Sequence, residues 1–199
     1  MADAIPEGPL FPPRAAWCHE GAGNGFEVTF FRPRAGGGVR LSGHTAAVED
    51  GRAYVVRYEI DVDDRWHTVG AQASGWTDDG AHEATITSDG AGHWLVDGEP
   101  RPDLDGIDDV DLESSACTNT LPIHRQALAV GEGAEAPAAY VRWPDLRVER
   151  LEQRYQRAPD EAGRRRYEYE SPRFGYAGRL TYDAYGLILD YPGIARRVV

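Results

Sequence analysis

The chain contains no lysine: all 21 of its basic residues are arginine. Without a lysine amine there is no Schiff-base chemistry and no covalently held pyridoxal phosphate. A genome that favours arginine is the simplest account. Cysteine is almost missing too. Cys18 and Cys117 are far apart and in no metal-ligand spacing, so free thiols are expected rather than a disulfide. No run reaches the roughly 18 apolar residues of a membrane-spanning helix. The opening "MADAIPEGPLFPPRAAW" has neither a basic start nor an apolar stretch of signal-peptide length. These absences predict a cytoplasmic protein without a stable membrane anchor. Positive charge is short as well, and the formal net charge is −12. Such a surface repels phosphate backbones and anionic headgroups, so no nucleic-acid partner is expected.

What is present points to β structure. A chain of 199 residues, 41% hydrophobic and with five tryptophans, suits one folded domain with a real core. Residues 53–62, "AYVVRYEIDV", alternate strictly. Tyr54, Val56, Tyr58, Ile60 and Val62 share one face, with Arg57, Glu59 and Asp61 on the other. Turn residues follow about every ten positions: "DD" at 63–64, "TDDG" at 77–80, "SDGAG" at 88–92 and, near the end, "DAYG". "RRYEYES", "YAGRLTYD" and "GLILDYP" continue the pattern, and "RAGGG" at 34–38 reads as a mobile hairpin tip. The expectation is a mostly β, single-domain fold of roughly ten strands in a barrel, sandwich or strongly curled antiparallel sheet. Leu121–Val130 and Pro144–Tyr155 could each hold a short helix or a strand. A flexible N-terminal segment is expected over 1–13 and one β-rich ligand-binding domain over 14–199.

Motifs for catalysis are missing. There is no "GxSxG" elbow, no Walker loop and no "GxGxxG" after a strand. The six histidines show no zinc spacing, and the acids Asp108, Asp109, Asp111 and Glu113 lack a calcium-loop pattern. No metal, cofactor or catalytic set is therefore expected. Alternation would put Asp109, Asp111 and Glu113 on one face opposite Val110 and Leu112, and the simplest reading of that face is solvated. Ser114 and Ser115 lie beside acids rather than a base. His124 is the one histidine considered for acid–base work. An alternative reading pairs it with Asp109 or Asp111 in an unrecognised enzyme. A further alternative is an interaction module using a sheet edge or apolar patch.

The stretch "DVDLESSACTNTLPIHR", 109–125, resembles the signature of a bacterial family described as putative glycolipid-binding, formerly a domain of unknown function. That signature reads approximately Asp-Val-Asp-Leu, a few residues, then Thr-Asn-Thr-Leu-Pro-Ile-Arg-Arg. The likeness extends to "AAWCHEGAGNGFE", to "VRLSGHTAAVEDGRAYVVRYEIDVDDRWHT", and to "GHWLVDGE", "LEQRYQ", "YEYES" and "YDAYGLILDYPGIARR". His124 departs from it, standing where the pattern has arginine, so only Arg125 carries over from the basic pair. The resemblance implies a curled antiparallel sheet or half-barrel, similar to lipoprotein carriers, with an internal hollow. It implies a non-enzymatic protein that binds a small amphipathic ligand such as a glycolipid. The expected ligand-binding residues are Asp109, Asp111, Thr118, Asn119 and Arg125 as polar contacts, with Trp66, Trp94 and Tyr169 as apolar lining. A purely structural alternative stands beside this. The "TNT" side chains would satisfy backbone groups, Pro122 would fix a turn, and Arg125 would pair with an aspartate.

Overall fold

The alternating stretch 53–62 is the middle of a wide antiparallel sheet. The computed structural model describes residues 11–21 and 23–199. The first ten residues of the expected flexible segment 1–13 therefore lie outside the described residues. Phe11, near its end, is buried, with its ring stacked 5.3 Å from that of Phe31. A ring beside an apolar wall is favoured there by the surface it removes from water.

The strands are β1 (Arg14–His19), β2 (Gly23–Pro33), β3 (Val39–Glu49), β4 (Arg52–Val62), β5 (Thr68–Thr77), β6 (Gly80–Ser88), β7 (Trp94–Val96) and β8 (Glu99–Pro100). They continue as β9 (Asp109–Leu112), β10 (Gly133–Glu135), β11 (Ala138–Val141), β12 (Val148–Leu151) and β13 (Arg154–Glu161). Last come β14 (Arg164–Ser171), β15 (Tyr176–Tyr182), β16 (Ile188–Tyr191) and β17 (Ala195–Arg197). Fourteen of them form one open sheet in the order β10-β13-β14-β15-β16-β17-β1-β2-β3-β4-β5-β6-β7-β8. The two halves of the chain meet where β17 pairs with β1, Trp17 opposite Arg197. A second, three-stranded sheet has the order β12-β11-β9, with β9 parallel to β11. The fold is thus the expected mostly β one, with more strands than alternation revealed. The extra strands are two to four residues long, too short to display a period of two.

Aspartates make the turns. Asp63 Oδ1 accepts the N–H groups of Arg65 and His67, Asp89 Oδ1 those of Ala91 and His93, and Asp183 Oδ1 those of Tyr185 and Leu187. In each case a carboxylate two residues upstream stands in for a backbone acceptor. Of the two readings left open for Leu121–Val130, helix or strand, the helix is present as α1 (Thr120–Gln126), which ends at Ala127 in the left-handed conformation, φ 45°. Pro122 is tolerated because its missing N–H falls in the first turn, where no intrahelical partner exists. Pro144–Tyr155 holds no helix; it contains β12 and the start of β13.

The segment from β9 through α1 fills the curl of the large sheet and touches both of its arms. On one side Thr68 N–H donates to the Asp108 carbonyl at 2.9 Å, and Thr45 Oγ1 to the Ser114 carbonyl at 2.7 Å. On the other, Tyr155 donates its hydroxyl to Asn119 Oδ1 at 2.8 Å. Glu27 on β2 is the strongest tether. It is fully buried, and its Oε2 accepts the backbone N–H groups of Ala116 at 2.7 Å and Cys117 at 3.3 Å. Its Oε1 accepts the hydroxyls of Tyr58, at 2.5 Å, and Ser115. Four donors on one carboxyl offset the cost of removing it from water.

Tyr58 reaches Glu27 by lying across Gly43 of the neighbouring strand. A Cβ at Gly43 would fall inside the phenol ring. Gly43→Ala is expected to push Tyr58 off Glu27 and lower the unfolding free energy by at least about 2 kcal/mol, the sum of overpacking and an unmade buried hydrogen bond. Urea denaturation checks this; an unchanged midpoint would contradict it.

His124, on α1, is mostly buried. Its ring stacks on Trp66 with centroids 4.1 Å apart and meets Phe11 at 5.1 Å. Nε2 donates to the Tyr185 carbonyl at 2.8 Å. Burial pushes the imidazole down from 6.5 to about 4, against the pull of that carbonyl. The unfolded chain therefore takes up a proton that the folded one refuses, and stability is lost as pH falls from about 6.5 towards 4. Between pH 7.5 and pH 5 this amounts to about 2 kcal/mol. His124→Gln should flatten that acid limb by a similar amount in unfolding measurements at the two pH values.

Candidate functional site

A cavity of about 350 Å³ opens between the β9 segment and the arm of the sheet that carries β14 to β16. Its depths are formed by Asp111, Ser115, Asn119, Tyr169 and Ser171, all buried. Its mouth carries Glu20, Glu113, Phe174 and Ile194, all exposed, with Tyr176 and Tyr191 half-buried between. Another hollow lies against the outer sheet face between Arg57, Gln72 and Glu83. Its carboxylates, Glu59 and Glu83, are not buried.

Every residue of β9 is buried, which corrects the expectation of a solvated acidic face for Asp109 and Asp111, while Glu113 just beyond the strand is exposed. β9 is one strand of the inner sheet, covered on both sides, so the aspartates are enclosed by neighbours rather than by water. Asp111 Oδ1 accepts the Thr118 hydroxyl at 2.5 Å. Burial pushes the Asp111 carboxyl up to about 7, with Thr118 pulling the other way and the neighbouring Asp109 and Glu113 adding to the rise. Near neutrality this group holds its proton about half the time and so can donate or accept. Asn119 uses Oδ1 for Tyr155 and keeps only a 3.5 Å contact from Nδ2 to the Ala116 carbonyl. Tyr169 donates to Gln153 Oε1 at 2.9 Å, leaving its ring against the cavity.

The remaining expected residues do different work. Arg125 grips Asp109 with two hydrogen bonds, 3.0 Å from Nε and 2.6 Å from Nη2, and reaches Asp108 at 3.1 Å. Neither Arg125 nor Asp109 lines the cavity, and the pair locks α1 onto β9. Trp94 is fully buried, with Nε1 donating to the Ile107 carbonyl at 3.0 Å. Trp66 is occupied by the stack with His124 and Phe11. Neither tryptophan borders the cavity. The structure thus brings Asp111, Asn119 and Tyr169 together, with Thr118 behind Asp111, and leaves Asp109, Arg125, Trp66 and Trp94 outside. His124 and Asp111 do not form a pair, because each is committed elsewhere. Among the described residues no group of three or more His, Cys, Asp or Glu side chains is arranged to hold a metal ion, and both cysteines are free thiols.

Several lining residues lie outside the expected set. Tyr176 and Tyr191 meet edge to face at 5.5 Å, and Tyr169 packs against them at 5.9 and 5.8 Å. Tyr140 faces Phe174 at 5.7 Å. His19 Nε2 sits 3.8 Å from Glu27 Oε2 with no hydrogen-bond partner among the described residues, and Ser171 Oγ likewise has none. Tyrosines in "YEYES", "FGYAG" and "LDYPG" signalled strands, but no local pattern distinguishes a cavity-lining tyrosine from a core one.

The geometry defines a class: an open, strongly curled antiparallel sheet wrapped around an inner segment, with a small polar-floored cavity between them. A family model described as "Putative glycolipid-binding" matches residues 14–197, and the chain belongs to that family. Among solved structures it is similar to a DUF1089 family protein from Pseudomonas aeruginosa, at 31% identity and a TM-score of 0.75, over 86% of this chain and 92% of that one. A β-barrel-like protein of the DUF1849 domain of unknown function from Brucella abortus matches at 12% identity and a TM-score of 0.54, over 95% of this chain and 96% of that one. This second likeness speaks to the fold alone. No curated protein matches the chain. No helix among the described residues is long and apolar enough to cross a membrane.

Asp111 provides a check on the site's electrostatics. Its carboxyl is raised in the folded state, so the fold binds a proton that the unfolded chain has lost, and the stability this brings fades as pH rises from about 4 to about 7. Relative to wild type, Asp111→Asn should gain roughly 2–3 kcal/mol between pH 5 and pH 8. Urea titrations of both proteins at the two pH values measure this; parallel behaviour would show that Asp111 is not perturbed.

Proposed function

We propose that the protein binds an amphipathic, sugar-bearing ligand, a glycolipid in chemical terms, with its polar head in the cavity. The observation that carries this reading is the mixed lining of the cavity, buried polar groups within reach of tyrosine rings and of exposed apolar side chains at a mouth that also carries Glu20 and Glu113. Hydrogen-bonding groups (Asp111, Asn119, Ser115, Ser171) lie at the floor, and the apolar side chains Phe174 and Ile194, 51% and 41% exposed, stand at the mouth. Sugar hydroxyls need paired donors and acceptors, which a carboxyl poised near neutrality and a primary amide supply. Tyrosine rings offer flat apolar faces for the sugar's C–H surface. The volume lies at the small end of ligand pockets, roughly 300–1,000 Å³, so it suits a head group, and the hydrocarbon part would extend over the Phe174–Ile194 rim.

In this reading Asp111, Asn119 and Tyr169 are contacts and Thr118 positions Asp111. Asp109, Arg125, Trp66 and Trp94 support the frame. Native mass spectrometry of protein gently purified from its own host, followed by solvent extraction, tests it. A stoichiometric glycolipid is expected on the wild type and should be reduced at least tenfold on Tyr191→Ala, which removes one wall of the cavity without touching the Glu27 tether. Absence of any lipid, together with no rise in melting temperature across a panel of neutral and charged glycolipids, would overturn the reading.

A further inference from the structure

We infer that the head group taken by this cavity carries an amine, as an amino sugar does, and bears no phosphate, sulfate or carboxylate. The inference rests on the sugar-binding reading and narrows it. Four carboxyl side chains, those of Glu20, Glu49, Asp111 and Glu113, line the cavity, and not one of the chain's 21 arginines does. In a protein so rich in arginine, a site for an anionic head group would draw on guanidinium forks. The guanidinium groups nearest the site are already paired at its rim: Arg196 meets Glu20 at 3.4 Å, which leaves Glu49, Asp111 and Glu113 without an arginine partner among the described residues. Arg173, next to the rim residue Phe174, pairs with Glu149 at 2.5 Å, as does Arg142 at 3.5 Å, and Arg125 is bound to Asp109. An anion entering among these carboxyls would meet like charge at short range in a partly dehydrated space, where repulsion is much stronger than in water.

Two buried atoms on the wall show that the cavity is incomplete by itself. Ser171 Oγ and His19 Nε2 have no hydrogen-bond partner among the described residues, and the two residues are 1% exposed and, in its side chain, 10% exposed. Buried polar atoms are rarely left unpaired, and both border the space a ligand would fill. The mutually packed rings of Tyr169, Tyr176 and Tyr191 add a negative quadrupole surface that attracts a cation. The acids also crowd one another: Glu49 is raised by burial and then by the charge of Glu113. An ammonium group would relieve that crowding, and a hydroxyl would not.

The test compares four probes by titration calorimetry at pH 7, each below its micellar concentration. They are dodecyl glucosaminide, its N-acetyl derivative, dodecyl glucoside and dodecyl glucoside 6-phosphate. The glucosaminide should bind about tenfold or more tightly than its N-acetyl derivative and the glucoside, and the phosphate weakest of all. Asp111→Asn should shrink the preference for the amine severalfold. Glu113→Gln, at the exposed mouth, keeps an oxygen that can accept the Trp143 N–H and should shrink it as well. Equal binding of glucosaminide and glucoside, or tightest binding of the phosphate, would overturn the inference and leave the glycolipid reading standing. Failure of all four probes to bind would overturn the sugar-binding reading beneath it.

Discussion

The fully buried carboxyl of Glu27 is the constraint around which the molecule is arranged. A large curled sheet has a concave face that must be filled, and here it is filled by a polar segment, Ser114 to Thr120, rather than by apolar side chains alone. Backbone N–H groups at the start of that segment would be costly to bury without acceptors. Glu27 supplies them, and in return they and the hydroxyls of Tyr58 and Ser115 satisfy Glu27. Neither side is stable in the interior without the other. Because the segment's path is fixed in this way, Asn119 is brought to the same cavity wall as Asp111 of β9.

Much of the frame was legible in the sequence, and the site much less so. The strand at β4 shows its inward face plainly, since Tyr54, Val56, Tyr58, Ile60 and Val62 are all buried. On β2 the same rule misleads. Phe26 and Phe30 are exposed at 58% and 42%, whereas Glu27 and Thr29, between them, are fully buried. A reader who assigns the apolar face to the core turns β2 inside out. The inversion depends on donors from Tyr58 and from residues nearly 90 positions later, and a local pattern cannot carry that information. β9 misled for a related reason. Its alternation of acid and aliphatic residues is genuine, but both faces are covered, and an isolated tetrapeptide does not reveal whether its neighbours are water or protein.

Arg125 shows how a recognisable motif divides its labour. Its stretch holds the polar residues that reach the cavity and also those that keep the inner segment rigid. Asp109 and Asp111 are two positions apart on one strand, yet one is closed off by a guanidinium fork and the other is left with a single hydroxyl donor. Burial raises both carboxyls, and at Asp109 Arg125 pulls the other way. A charge partner spends Asp109 on structure, and the lack of one leaves Asp111 free to exchange a proton near neutrality. Placing His124 beside Arg125 adds an aromatic brace in the stack with Trp66, which a second arginine would have to replace with cation–π packing.

The large sheet ends on two stubs, β8 with two residues and β10 with three. An unclosed sheet exposes unpaired backbone groups along its outermost strands, and long flat edges of that kind recruit further strands from other molecules. Here one edge consists of Glu99 and Pro100, a charge followed by a residue with no N–H to offer. The other carries Gly133 and Glu135 around a single alanine. Neither offers a template long enough for a stranger's backbone to zip onto. An arriving strand would find little backbone to pair with at either stub, so the sheet can end there without closing on itself.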